Sequence, residues 1–182
     1  MNVLILCAGR GRRLRPLTYF MPKPMVKIKG KPILEHILDY LDTFGTYQVY
    51  INIHYKPEKF MRYFGDRLLY FYEKELSGEE GAIEKLINLV PSIKNDYLIV
   101  MNGDTLTNLN LAEMYKMSKG KSIRAMHEKV YTGIKILSPD YLQGIDKEIY
   151  EYRSGHLWTD YGTWKRLLFG KSKKEYDRYK DK

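Results

Sequence analysis

At 182 residues, 44% hydrophobic and 29% charged, the chain has the composition of an ordinary globular protein and the length for one domain with a self-sufficient core. A single cysteine, Cys7, excludes an internal disulfide and points to a reducing compartment. No apolar stretch approaches 18 residues and the start lacks a secretory pattern, so no membrane partner is expected and the expected location is cytoplasmic.

Residues 2–7, NVLILC, form the near-continuous apolar run of a strand buried on both faces of a parallel sheet, ending in a turn rich in glycine and arginine. MVKIKGKP (25–32) predicts one short alternating strand closed by Gly30 and Pro32. Ile33, Leu34, Ile37, Leu38 and Leu41 then share one face of a helix with Pro32 near its first turn and Gly45 at its end. QVYINIHY (48–55) predicts a strand and PEKFMRYFG (57–65) a short helix. RLLYFYE (67–73) reads as a strand and KELSGEEG (74–81) as a loop, followed by helical spacing of Ile83, Leu86, Ile87 and Val90. DYLIVM (96–101) is another buried strand, ending at Asn102-Gly103-Asp104, and LNLAEMYKMSKG (109–120) is a helix stopped by Gly120. SIRAMHEK (122–129) and YTGIKILS (131–138) predict strands, 148–162 shows no decisive period, and GTWKRLLFG (162–170) closes with a short helix.

This alternation predicts an α/β fold, a mostly parallel Rossmann-like sheet with helices on both faces. Residues 1–169 form the single domain, and 170–182, basic and free of aliphatic side chains, a solvated tail. In such sheets ligands bind beyond the carboxyl ends of the strands, where the opening turn, the loop after RLLYFYE and Asn102-Gly103-Asp104 all fall.

Net charge is +9, which fits nucleic acid, an anionic surface or small phosphorylated ligands. No helix-turn-helix, RNA-binding or zinc pattern is present, and the 17 tyrosines are too scattered for a stacking platform, so nucleic acid is not the expected partner. In the opening turn, Gly9 and Gly11 let backbone N–H groups approach a ligand, while Arg10, Arg12, Arg13 and Arg15 add charge that never titrates; together they suit a polyphosphate. A basic surface turn is the bland alternative. The dinucleotide fingerprint fails because position 14 is leucine, and no Gly-Lys-Ser/Thr completes a P-loop. Cys7 reads as a packed small residue rather than a nucleophile, and the four histidines lack metal-ligand spacing.

A longer pattern is more specific. Ala8 to Thr18 (AGRGRRLRPLT), Pro22 to Met25 (PKPM) and Gly30 to Leu34 (GKPIL) together resemble the signature of sugar-phosphate nucleotidyltransferases, which make NDP-sugars from an NTP and a sugar 1-phosphate. LSGEEGAI (76–83), NGD (102–104), YTGI (131–134) and WTDYGT (158–163) resemble later blocks of that family. The resemblance implies a nucleotide-diphospho-sugar transferase type of fold and a magnesium-dependent transfer with release of pyrophosphate. It further implies Arg13 and Lys23 as catalytic cations on the phosphates, and Asp104 and Asp160 as magnesium ligands. Cys7, Ala8, Gly9, Arg10, Gly11, Arg12, Gly78, Glu79, Gly81, Asn102 and Gly103 would contact the nucleotide. Glu128, Lys129, Thr132 and Gly133 would contact the sugar phosphate.

Three departures from the family pattern matter. Ala8 and Arg12 stand where glycine and threonine are usual, and the extra arginine favours anion binding. Glu79 and Glu80 stand where neutral residues line the nucleobase; carboxylates accept hydrogen bonds from cytosine or guanine and repel the carbonyls of uracil and thymine, which tilts expectation toward CTP or GTP. Two solvated glutamates are the alternative. Glu128-Lys129 lacks the following proline and runs at once into Tyr131-Thr132-Gly133, so the sugar-binding region is shortened. That leaves room for a non-sugar acceptor such as phosphocholine or inositol phosphate, or for a non-catalytic nucleotide-binding relative; a homo-oligomer is compatible with the sequence.

Overall fold

The opening apolar run becomes strand β1 (Asn2–Leu6), with Val3 and Ile5 entering one apolar layer and Leu4 the opposite one, all without exposure. The computed structural model describes residues 1–45 and 47–169. The stretch predicted as one strand at 25–32 is instead a hairpin, β2 (Lys27–Ile28) against β3 (Lys31–Pro32), because Lys29 and Gly30 both adopt positive φ, 48° and 85°. Helix α1 (Ile33–Asp42) buries Ile33, Leu34, Ile37, Leu38 and Leu41 as its spacing requires, each worth about 1.5–3 kcal/mol of transfer free energy. Strand β4 (Gln48–Ile53), helix α2 (Pro57–Phe64) and strand β5 (Leu69–Tyr72) follow.

Helix α3 (Gly78–Leu89) starts four residues before the predicted helical spacing and takes in half of the expected loop. Its first turn carries Glu79 and Glu80, which the positive end of a helix favours. Strand β6 (Leu98–Asn102) is followed by the short β7 (Thr105–Thr107) and by α4 (Leu111–Ser118), whose Asn110 cap accepts from the Glu113 N–H at 3.0 Å. Strands β8 (Ser122–His127) and β9 (Val130–Leu137) form an antiparallel hairpin. Helix α5 (Pro139–Gln143), strands β10 (Ile149–Arg153) and β11 (Trp158–Asp160), and helix α6 (Trp164–Phe169) complete the described chain. The tail expected at 170–182 lies outside the described residues.

Seven strands make the main sheet in the order β10-β8-β9-β6-β1-β4-β5. Pairs β1–β4, β1–β6, β4–β5 and β8–β10 are parallel; β9 runs against both β6 and β8. Residues of α1, α2 and α4 pack in the layer of Val3 and Ile5, and those of α3 and α5 in the layer of Leu4. The sheet is thus covered on both faces. β1 lies between strands that the chain reaches by opposite excursions, so a crevice opens at the carboxyl ends of β1 and β6.

Candidate active site

The opening turn presents backbone rather than side chains. Gly11 is left-handed at φ 60°, and a Cβ there would meet Thr18 Cγ2 at 2.9 Å and Lys23 Cβ at 3.1 Å. The Thr18 hydroxyl donates to the Gly11 carbonyl at 2.9 Å, which fixes the turn. Gly103 answers from the other side of the crevice. Its N–H donates to the Leu6 carbonyl at 3.0 Å, and any Cβ would stand 2.7 Å from that oxygen and 2.9 Å from Cys7 Sγ. Glycine alone lets the ends of β1 and β6 come this close.

Beside them lies a cavity of about 310 Å³, whose wall includes Gly103 but not Gly11, which was also expected at the nucleotide. Of the residues expected at the nucleotide, Cys7, Ala8, Gly9, Gly78, Glu79, Asn102 and Gly103 line it, together with Lys23 and Asp104. Burial pushes the Cys7 thiol far up, so it stays protonated and packs as expected. Leu6, Pro24, Asn52, Glu73 and Leu76 complete the wall. Asn52 Oδ1 accepts the Cys7 N–H at 2.6 Å, while its Nδ2 and the Ser77 hydroxyl donate to Glu73 Oε1 at 3.4 and 3.1 Å. A carboxylate with 2% exposure therefore stands in the cavity wall on neutral donors.

Several expected contacts fall elsewhere. Arg10 and Arg12 are exposed outside this wall, and Arg10 Nη2 reaches His54 Nε2 at 3.3 Å. Gly81 sits inside α3 on a separate groove with Ser77, Glu84 and Lys85. The Glu128–Lys129 pair occupies the exposed tip of the β8–β9 hairpin, because only those two residues connect the strands. The Thr132 hydroxyl is buried and donates to the Ala125 carbonyl at 3.0 Å. Of the acceptor set only Gly133 adjoins the cavity wall, at φ 80°, where a Cβ would lie 2.5 Å from Asn102 Nδ2. Glu79 and Glu80 are both paired with Lys135 of β9, which is 5% exposed, and Glu80 also accepts from the Tyr141 hydroxyl at 3.4 Å. Glu80 does not line the cavity.

The charged groups converge at one corner. Asp160 is the cross-strand partner of Thr105 in β7, and the Tyr161 N–H donates to the Asp104 carbonyl at 3.0 Å, so both aspartates flank one short ladder. Lys23 pairs with Asp104, and Arg166 of α6 pairs with Asp160. A Cβ placed on Gly162 would stand 2.6 Å from Asp160 Oδ1, 3.1 Å from Arg13 Nη2 and 3.3 Å from Lys23 Nζ, which brings all three around one glycine. Burial draws the Lys23 ammonium down to about 8; Asp160 opposes that, and the charges of Arg13 and Arg166 add to it. Arg13, Lys23, Asp104 and Asp160 thus gather at one corner of the crevice. Asn52, Glu73, Lys135 and Arg166 were missed. A polar residue inside the apolar run of β4 and a buried-side lysine in YTGIKILS were the available signals for two of them.

Over residues 2–132 the chain matches the family described as nucleotidyl transferase. The chain belongs to that family. It is similar to "Bifunctional protein GlmU" of Methanocaldococcus jannaschii, 32% identical over 142 residues that cover 77% of this chain and 34% of the relative. It is likewise similar to "D-glycero-alpha-D-manno-heptose 1-phosphate guanylyltransferase" of Campylobacter jejuni, 37% identical over 133 residues, 70% of this chain and 58% of the relative. The chain therefore spans between one third and three fifths of the length of these relatives. The crystal structure of HddC from Yersinia pseudotuberculosis complexed with GMP-PN shares the fold, with a TM-score of 0.76 at 19% identity over 96% of this chain and 99% of that one. The family match ends at Thr132, so Asp160 and Arg166 are brought to the nucleotidyl transferase crevice by β11 and α6, beyond the matched residues.

Proposed function

We propose that the protein transfers the nucleotidyl group of an NTP to a sugar 1-phosphate and releases pyrophosphate. The observation that carries this reading is the gathering of Arg13, Lys23, Asp104 and Asp160 at one corner of the crevice, where Lys23 and Asp104 line a cavity on the switch point of a nucleotidyl transferase fold. In the reaction an oxygen of the sugar phosphate attacks the α-phosphorus, and the bond to the oxygen bridging to the β-phosphorus breaks. Both reactants are anions, so the barrier is charge crowding and misalignment, and positioning plus fixed cations lowers it. The amides around Gly9 and Gly11 receive phosphate oxygens, Arg13 offsets charge on the departing pyrophosphate, and Lys23, held between two prolines, bridges the α-phosphate and the incoming phosphate. At about 310 Å³ the cavity is at the small end of ligand pockets, sufficient for a nucleotide part-way into solvent.

The donor set also suits magnesium. Among the described residues no three His, Cys, Asp or Glu side chains gather to hold a metal by themselves. Asp104 and Asp160 flank the β7–β11 ladder, and one or two carboxylates are the protein share magnesium takes when phosphate oxygens and water complete its octahedron. Asp104 and Asp160 would hold it, and it would supply a Lewis acid on the reacting phosphates.

For the base, Glu73 and Glu79 at the cavity wall favour CTP or GTP, since carboxylates accept from amino and imino edges. Pairing with Lys135 lowers the charge of Glu79 yet leaves it lone pairs to accept with. The test is pyrophosphate release from GTP, CTP, UTP, dTTP and ATP, each with a panel of sugar 1-phosphates, phosphocholine and inositol phosphate. Turnover with a sugar 1-phosphate and GTP or CTP, lost by roughly 10²–10³-fold in Asp104→Asn, is the expected result. Preference for UTP or dTTP overturns the base assignment; turnover only with the non-sugar esters overturns the acceptor; an unimpaired Asp104→Asn overturns the metal assignment.

A further inference from the structure

Helix α6 delivers a cation that the opening turn does not contain. Its first residue, Trp164, donates its indole N–H to the Arg15 carbonyl at 2.9 Å, tying the helix to the arginine-rich turn 149 residues away. Two positions on, Arg166 pairs through Nη1 with Asp160 Oδ2. The other oxygen, Oδ1, accepts the Gly162 N–H at 2.9 Å. The whole carboxylate is thus engaged by protein groups. Asp104 is similarly engaged, by Lys23.

A metal ion and a guanidinium cannot both sit on Asp160 Oδ2 without mutual repulsion, so one must yield. Asp160 is anchored in the β7–β11 ladder and by Gly162, whereas Arg166 is 48% exposed on a flexible stem. The arginine is the mobile partner. Its charge already reaches Lys23, with that of Arg13, so three cations crowd the corner where a triphosphate would lie.

We propose that Arg166 competes with the metal for Asp160 and, once displaced, turns onto the phosphates of the nucleotide. The exchange rests on the nucleotidyl-transfer reading and adds to it a coupling: metal alone binds weakly because it must evict the arginine, and nucleotide strengthens metal binding by giving the evicted charge a partner. By linkage the metal strengthens nucleotide binding to the same degree.

The test is Mn²⁺ binding to the intact protein, followed by electron spin resonance, with and without a non-hydrolysable GTP or CTP analogue. In the wild-type protein the analogue is expected to tighten Mn²⁺ binding. In Arg166→Gln, Mn²⁺ alone is expected to bind at least about fivefold more tightly, the tightening by analogue to shrink, and the KM for nucleotide to rise. Arg166→Lys keeps the charge and should lie nearer wild type; thermal melts confirm that both variants fold. Equal or weaker Mn²⁺ binding by Arg166→Gln, in a wild-type background that binds Mn²⁺, overturns the exchange alone. Absence of Mn²⁺ binding by wild type even with the analogue, or Mn²⁺ binding unaffected by Asp160→Asn, overturns the metal reading and the exchange with it.

Discussion

Lys23 shows how one residue reports on its surroundings. Burial lowers its ammonium from an ordinary 10.5 to about 8, so in the free protein the charge is lost as pH rises through 8. An uncharged Lys23 cannot hold phosphate, and kcat/KM for nucleotide is expected to fall on an alkaline limb near pH 8. Arginine keeps its charge above pH 12, so in Lys23→Arg that limb should vanish from the measurable range, whatever the absolute rate. A limb unmoved by the substitution assigns the titration to another group. The stability linkage has the opposite sense: between 8 and 10.5 the unfolded chain binds the extra proton, and the contribution of this group to stability rises with pH. Lys23 was singled out by its place between prolines in a family-like block, and it lines the cavity. Arg166 was not, because its partner Asp160 lies in a segment with no periodicity and the value of the pair comes only from what surrounds Gly162. For Glu128 and Lys129 motif likeness implies the acceptor, and the structure has them in the two-residue turn at the tip of the β8–β9 hairpin.

At the scale of elements, segments with a period or a stop signal of their own were readable, the short helices α2 and α6 among them, and the shortest strands were not. The α1 spacing and the apolar runs of β1 and β6 carry their own signal, since one face or both must be buried. The three-residue strands β7 and β11 carry none; each exists because the other is there to pair with. Helix α5 was signalled by Ser138, Pro139 and Gly144, a cap, a first-turn proline and a left-handed stop, and was passed over. The start of α3 was misplaced because its two glycines look like a loop, whereas its first turn is held from across the sheet. Burial acts to lower Lys135, and its hydrogen bond to Glu79 with the charges of both glutamates reverses this, so the ammonium stays above its ordinary range. Lys135→Met should accordingly cost about 1–3 kcal/mol in urea unfolding and raise the KM for nucleotide, as Glu79 loses its anchor at the cavity wall. Because Glu80 is mostly exposed, Glu80→Gln should be nearly silent in the same assay.

Across the whole molecule the excess positive charge and the crevice act together. A net charge of +9, with four exposed arginines in the turn that follows β1, would draw anions toward the crevice, and salt screens such attraction over about 10 Å at 0.1 M. Raising KCl from 50 to 500 mM should therefore lower kcat/KM for nucleotide, with the loss in KM rather than in kcat. A salt-independent kcat/KM removes long-range steering from the account. Among the described residues no helix is long and apolar enough to cross a membrane.

The position of β1 sets an order for the birth of the fold. Its two neighbours, Gln48–Ile53 and Leu98–Asn102, lie far apart along the chain, so once β4 has docked the other edge of β1 stays open until β6 is made. Only when β6 docks does Gly103 close on Leu6, and only after β11 and α6 are added does the last carboxylate arrive. The corner around Asp160 is in this sense stitched from both ends of the described chain, and a polypeptide that stopped before β11 would lack Asp160 and Arg166 whatever sheet it formed.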